Sequence, residues 1–356
     1  MLKNQVRLVL NGLMLLGLIP ANFALAVETS TQPQRTININ GGGSQPTANL
    51  YTVWGKSYEA RYRDVSMTYK ISNVVKGIAD LEENKIDYAG SEIPLKIDEL
   101  KKRGLFQFPT ALISFTPVAN IPGIHSGQLR LDDVTLAGIF MGTIKKWNDP
   151  RLVEINPKLT LPDKEIITVH RNSGNTITYV LSSYLSKVNQ EWAEKVGVGS
   201  TLKWPVGKEA GNGTNEAMMD YIKETPYTIG FTMLSLVLKN KLNLVKMKNK
   251  DGNVVSATPE GVMAASTSAK WNVDDGFYNI LTNQSGKDTW PFVMTGYATV
   301  KLATAFPQNS KTLLHFFESG LKRGQIEVVS ADLIPLPNEV ADIIRASLKQ
   351  YLGGEK

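Results

Sequence analysis

Cysteine is missing from all 356 residues. That excludes disulfides, thiol nucleophiles and cysteine-held metals together, and it excludes the lipidated cysteine that anchors many exported receptors. Histidine is almost as scarce. His125, His170 and His315 lie far apart and share none of the His-Glu-x-x-His spacing of a zinc site. No Gly-x-Ser-x-Gly elbow and no Walker sequence occurs, so neither a serine hydrolase nor a P-loop nucleotide site is expected. Long apolar runs are absent after the first 26 residues. A basic stripe is absent too: Lys101-Lys102-Arg103, Lys145-Lys146 and the lysines between 246 and 250 are brief clusters that read as solvated faces. Cofactors, metals and nucleic acid are therefore not expected.

The first residues carry a pattern of their own. Lys3 and Arg7 precede the apolar stretch Leu8 to Ile19, which Pro20 and Asn22 interrupt, and Ala24-Leu25-Ala26 follows. Basic, apolar and small-residue segments in that order predict a cleavable secretion signal over residues 1–26, too short to span a bilayer comfortably. A polar leader over 27–34 follows. With Lys3 and Arg7 counted in the formal net charge of +6, the mature chain is only mildly basic. Such a balance permits an anionic ligand without demanding one. Export without a lipid anchor predicts a free periplasmic protein, with secretion beyond the outer membrane as the alternative. It is expected to be monomeric.

The remaining length suits two domains. Thr36 to Asn40 alternates as a strand, the Gly41-Gly42-Gly43-Ser44 segment reads as a loop, and Pro46 opens a helix to about Arg63. Val65 to Ile71 alternates again. Ser72 reads as the N-cap of a helix from Asn73 to Glu83, and Ile86 to Ser91 as a strand leading to Glu92. This β-α-β-α-β order predicts a parallel α/β layer. A second block follows, with strands at Ala111–Asn120, Glu165–His170, Tyr227–Phe231 and Leu242–Met247, and a helix from Thr176 to Leu185. Strand Val293–Val300 and helices Ser310–Leu321 and Pro337–Leu352 close the chain. Two α/β layers with loops at strand ends imply a cleft where helix N-termini converge.

Three such helix starts are candidates for holding an oxyanion: Ser44-Gln45 after the triple glycine, Ser72-Asn73, and Arg171 through Gly174-Asn175-Thr176. Backbone N–H groups and the positive dipole end suit a buried anion. Arg171 would add a planar fork able to hold two oxygens. Ser72 reads as a cap before it reads as a ligand donor. His315, in Leu313-Leu314-His315-Phe316-Phe317, reads as a packed core histidine, while strand alternation turns His170 away from Arg171.

Longer stretches carry a resemblance: Gly104-Leu105-Phe106-Gln107-Phe108-Pro109-Thr110, Asn120-Ile121-Pro122-Gly123, Gly142 to Pro150, Ser182 to Trp192 and Lys203-Trp204-Pro205-Val206-Gly207. Over Ile37 to Ala346 the chain resembles the PstS-like periplasmic phosphate-binding proteins of the phosphate ABC transporter. The resemblance implies a two-lobed periplasmic binding protein of type II fold, with mixed and parallel sheets flanked by helices and a ligand cleft between lobes. Lobe I would comprise 36–112 plus 292–356 and lobe II 113–291, hinged near Leu112 and Trp290. It implies inorganic phosphate or a related oxyanion as ligand and ABC permease subunits as partners, with no catalysis.

By the same resemblance Asp87-Tyr88-Ala89-Gly90-Ser91-Glu92 matches a turn whose last residue is usually aspartate. A carboxylate there would repel an anion unless the anion brings a proton, which would favour hydrogen phosphate over sulfate. Glu92 has a second reading as a helix-start carboxylate near Lys96. Gln45 and Pro46 stand where the family has threonine and an aromatic, and Asn175-Thr176-Ile177 where it has serine, glycine and threonine. Two alternatives follow from these departures. One is a paralogue with a modified pocket for another anion or a role in sensing or adhesion; the other, for which no acid, base and nucleophile can be assembled, is a phosphatase-like secreted enzyme.

Overall fold

The computed structural model describes residues 37–171, 174–209, 214–302 and 307–352. The expected signal and leader, together with Asn172 and Ser173, lie outside the described residues.

Alternation in the first residues builds β1 (Ile37–Gly43), and the chain continues through α1 (Gln45–Arg61), β2 (Val65–Ile71), α2 (Val74–Glu82) and β3 (Tyr88–Ser91). β1 lies between β2 and β3, parallel to both, so the expected parallel layer is present. The short α3 (Ile97–Arg103) ends at Gly104, whose φ of 62° is left-handed. β4 (Leu105–Asn120) follows, 16 residues long and buried almost throughout.

The triple glycine is strand and not loop, contrary to the sequence reading. The reason is packing. A Cβ on Gly41 would stand 2.2 Å from the Tyr88 ring, and one on Gly43, at φ +127°, 2.3 Å from the Gly90 carbonyl oxygen. Helix α2 also presses on this strand, since a Cβ on Gly77 would meet the Gly43 Cα at 2.8 Å. Gly43→Ala is expected to cost at least about 2 kcal/mol in urea unfolding, because the backbone conformation and the space both refuse a side chain. A change under 0.5 kcal/mol, on the scale of an inconsequential surface substitution, would contradict this account.

The second block runs through β5 (Arg130–Leu131), α4 (Asp133–Met141), α5 (Pro150–Ile155), β6 (Ile167–His170) and α6 (Thr176–Val188). Further strands are β7 (Lys208–Glu209), β8 (Thr228–Met233), β9 (Lys246–Lys248), β10 (Val254–Val255) and β11 (Val293–Lys301). Eight strands form one continuous mixed sheet in the order β2-β1-β3-β11-β4-β8-β6-β7, and β10-β9-β5 form a small second sheet.

β4 belongs to both halves of the large sheet. From Leu105 to Ser114 it pairs antiparallel with β11, and from Phe115 to Asn120 with β8. A register shift at Gly296/Tyr297, opposite Pro109 and Ala111, accommodates the missing N–H of the proline inside a strand. The returning chain is pinned at the change of partner. Phe115 N donates to the Phe292 carbonyl at 3.0 Å, and the Trp290 indole donates to the Phe115 carbonyl at 2.7 Å.

Aromatic rings fill the core on each side. Tyr51 packs edge-on to Tyr88 with centroids 5.3 Å apart, and Phe108 to Phe317 at 4.9 Å. Phe231 lies between Phe115 and Phe292. His315, expected inside, is exposed. It sits on the outer side of the helix Pro307–Arg323, with Nδ1 2.8 Å from the Tyr58 hydroxyl, because Leu313, Phe316 and Phe317 supply that helix's buried face.

Candidate functional site

β1, β2 and β3 run parallel and end one residue before Ser44, Ser72 and Glu92, while β6, which runs opposite to them in the sheet, ends one residue before Arg171, so that two sets of strand ends converge. α1 and α2 start just after β1 and β2, and α6 is the next helix after β6. A cleft of about 710 Å³ lies there. All nine residues singled out in the sequence line it: Ser44, Gln45, Ser72, Asn73, Glu92, Arg171, Gly174, Asn175 and Thr176.

The three helix starts differ in what they present. Pro46 occupies the first turn of α1 and brings no donor. The N-cap of α2 is Asn73, not Ser72, and its side chain accepts from Lys76 N at 2.9 Å. Ser72 is instead tied back to β1, its N–H donating to the Gly43 carbonyl at 2.7 Å. On the opposite wall Asn175 caps α6 by accepting from Thr178 N at 2.8 Å. Gly174, at φ +79°, turns the chain into that helix. The Gly174 and Asn175 N–H groups both donate to the Ser200 carbonyl, so this loop is braced by its own neighbour.

Arg171 follows β6 and faces the cleft. Its Nη1 donates to the Asn215 side chain. Its Nε is buried and makes no hydrogen bond among the described residues. A buried cationic donor without a protein acceptor is a costly arrangement that an anionic ligand relieves. Burial lowers the guanidinium pKa, while Glu216 opposes the shift; the group remains a cation.

Glu92 is fully buried. Its carboxyl accepts from the Ser44 hydroxyl on one wall and from Thr176 Oγ1, at 3.3 Å, on the other. Burial pushes this carboxyl up from 4.5 to about 7, against the hydrogen bonds from Ser44, Thr176 and the Thr47 N–H that favour its charged form. The alternative reading, a helix-start carboxylate near Lys96, is not what the fold makes of it, since the next helix begins at Ile97 with Lys96 as its N-cap. Lys96 does not line the cleft. Its relative Asp87 has a structural task, accepting from Asn40 N at 2.7 Å and from Asn309 at 2.9 Å.

Sequence reasoning missed several lining residues. Asn215 and Ser200 come from polar segments that match no motif, and the available signal for the first was the sequence Gly-Asn-Gly-Thr just ahead of the helix Asn215–Glu224. The apolar members, among them Val74, Val75, Phe115 and Met233, carry no chemical signature and reach the cleft only through the fold. His170 is outside it, as the strand alternation indicates. Its ring stacks on Trp204 with centroids 4.6 Å apart.

Oxyanion donors gathered at the strand ends of a sheet shared by two halves define a solute-binding class of protein. The chain belongs to the PBP superfamily and, within it, to the PstS-like family. The PBP superfamily domain matches residues 26–317. The phosphate-binding protein PstS of Pasteurella multocida is 35% identical over 336 residues, covering 94% of this chain and 95% of the relative. Among solved structures, a high-affinity periplasmic phosphate-binding protein determined with phosphate bound superposes with a TM-score of 0.65 at 17% identity, over 87% of this chain and 94% of that one. An ABC-type phosphate transport receptor from Vibrio cholerae gives a TM-score of 0.58 at 16% identity, over 84% of this chain and all of that one. The fold is thus the two-lobed binding-protein architecture.

Proposed function

We propose that the protein is a solute receptor that captures phosphate between its two lobes and delivers it to an ABC permease. The observation that carries this reading is the meeting of the buried Arg171 Nε and the buried Glu92 carboxyl in one cleft between two helix starts. Arg171 supplies the charge, the starts of α2 and α6 supply dipoles and backbone donors, and Glu92 supplies an acceptor for a proton carried by the ligand. The names of the relatives point the same way, and one of the similar structures is described as an ABC-type phosphate transport receptor.

The lobes are taken as 36–112 plus 292–356 and 113–291, an assignment supported by the change of β4 partner at Ser114/Phe115 and by the Trp290–Phe115 contact. The protein is read as a monomer, and as a binder and not an enzyme, the latter because the described residues of the cleft gather donors around one carboxyl as a binding site does. Among the described residues no helix is long and apolar enough to cross a membrane. A periplasmic site of action rests on the secretion-type segment at residues 1–26.

Calorimetry on protein stripped of ligand by unfolding and refolding tests the reading. Inorganic phosphate at pH 8 is expected to bind one to one, and sulfate at least about a hundredfold more weakly, because it brings no proton to an ionised Glu92. No phosphate heat at millimolar concentration would overturn the assignment.

A further inference from the structure

Ser44 is held from behind by groups that do not line the cleft. Its N–H donates to the Gly90 carbonyl at 3.0 Å, and its carbonyl accepts from the Tyr69 hydroxyl at 3.1 Å. Its own hydroxyl donates to Glu92 and lies 3.1 Å from Thr47 Oγ1, which is 3.2 Å from the Tyr69 hydroxyl. Thr47 is fully buried, and neither Thr47 nor Tyr69 is among the lining residues.

Glycines make room for this arrangement. β2 sets Tyr69 beside Gly41 of β1, whose other neighbour is Tyr88, and the two rings lie with centroids 6.0 Å apart. A Cβ on Gly90 would stand 2.3 Å from the Tyr69 hydroxyl oxygen and 2.4 Å from Thr47 Oγ1. The strand that delivers Glu92 therefore also leaves the space in which both hydroxyls meet.

Each hydroxyl has one proton, and that gives the chain a direction. An ionised Glu92 only accepts, so Ser44 donates to it. Ser44 Oγ can then accept from Thr47, and Thr47 Oγ1 from Tyr69, whose proton is shared with the Ser44 carbonyl. Burial and the nearby Glu92 hold the Tyr69 phenol well above its ordinary pKa, so it remains a donor. The other titratable or charged groups around Glu92 are Tyr51 of α1, kept neutral chiefly by burial, and Arg171 in the same cleft. Donors aligned in one direction strengthen one another and favour the charged carboxyl at the end.

We propose that Tyr69 and Thr47 are positioning residues of the site, which aim the Ser44 hydroxyl at Glu92 and so keep that carboxyl ready to accept a proton from the bound anion. The inference rests on the phosphate reading above and names residues on which its preference for a protonated anion depends.

Calorimetry of the full-length mature protein, stripped of ligand, compares inorganic phosphate with sulfate at pH 8 in the parent, Tyr69→Phe and Thr47→Val. Each variant is expected to lower the ratio of phosphate to sulfate affinity about fivefold, the worth of one neutral hydrogen bond. The double variant should lose little more than the worse single one, since both break one chain. Thr47→Ser, which keeps a hydroxyl, should stay within about twofold of the parent. A purely structural role would weaken both anions alike and leave the ratio unchanged. A second measurement needs no ligand. Without the bond from Ser44 that favours its charged form, Glu92 titrates higher, so the fall of stability with rising pH, which ends near 7 in the parent, should extend further. Urea unfolding between pH 5 and 9 reads it. An affinity ratio or a pH window matching the parent's in both single variants overturns the inference and leaves the receptor reading standing. A parent that binds no phosphate overturns both.

Discussion

Arg171→Ala should reduce phosphate affinity by at least about a hundredfold, the loss expected when a charged donor is removed from a desolvated anion site. The geometry makes the effect large. Asn215 fixes one end of the guanidinium, while Nε is buried with no acceptor among the described residues. The side chain is thus pre-aimed, and its free donor gains a partner only on binding. Arg171→Lys should recover little, since an ammonium cannot reproduce the planar fork. Asn215→Ala should cost less, about tenfold, because it loosens the fork and removes no charge. Stability should hardly fall in Arg171→Ala, as among the described residues the arginine makes one side-chain hydrogen bond and leaves a buried donor unmet. Calorimetric affinity of that variant within threefold of the parent would remove Arg171 from the site.

Glu92→Gln should flatten the pH dependence of stability in the ligand-free protein. The folded carboxyl is raised from 4.5 to about 7 by burial, so between those values the folded state holds a proton that the unfolded state releases. Stability therefore falls as pH rises through this window, by about 3 kcal/mol, and is flat above it. Glutamine cannot ionise and escapes that loss. The variant should thus be more stable than the parent at pH 8, relative to their difference at pH 4.5. Urea unfolding at the two pH values measures it, and parallel profiles would show that Glu92 is not buried as described. The same variant should lose discrimination against sulfate at pH 8, since no carboxylate then faces the anion. In the parent, that discrimination should weaken below pH 7 as Glu92 takes up its own proton.

Sequence made the elements that surround the cleft readable because their signals are local. Alternation marked β1 and β2, proline marked the first turn of α1, and a polar residue before an apolar run marked α2 and α6. The cap of α2 fell one residue late for the same reason: Ser72 and Asn73 are both good caps, and only the bond from Ser72 N to Gly43 decides between them. The triple glycine was misread because close approach between strands, like a loop, calls for glycine, and Tyr88 and Gly90 are 47 residues from Gly41 and Gly43. His315 was misplaced because neighbouring apolar residues in a helix need not share its face. The site residues were within reach since each stands at a strand end. The apolar members of the lining were not, for valine, phenylalanine and methionine look the same whether they fill a core or line a pocket.

The long strand β4 has a consequence for how the chain acquires this structure. Ser114 and Val293 pair in the finished sheet although about half the chain's length separates them. Until β11 arrives, the inner edges of β3 and of the first part of β4 have no partner. Such an edge is prone to pairing with other chains, and closing so distant a contact slows folding. An emerging chain must therefore keep β3 and the first part of β4 waiting while residues 115–292 are made, so a partner that shields nascent chains would act on this protein before Val293 appears and have little to do afterwards.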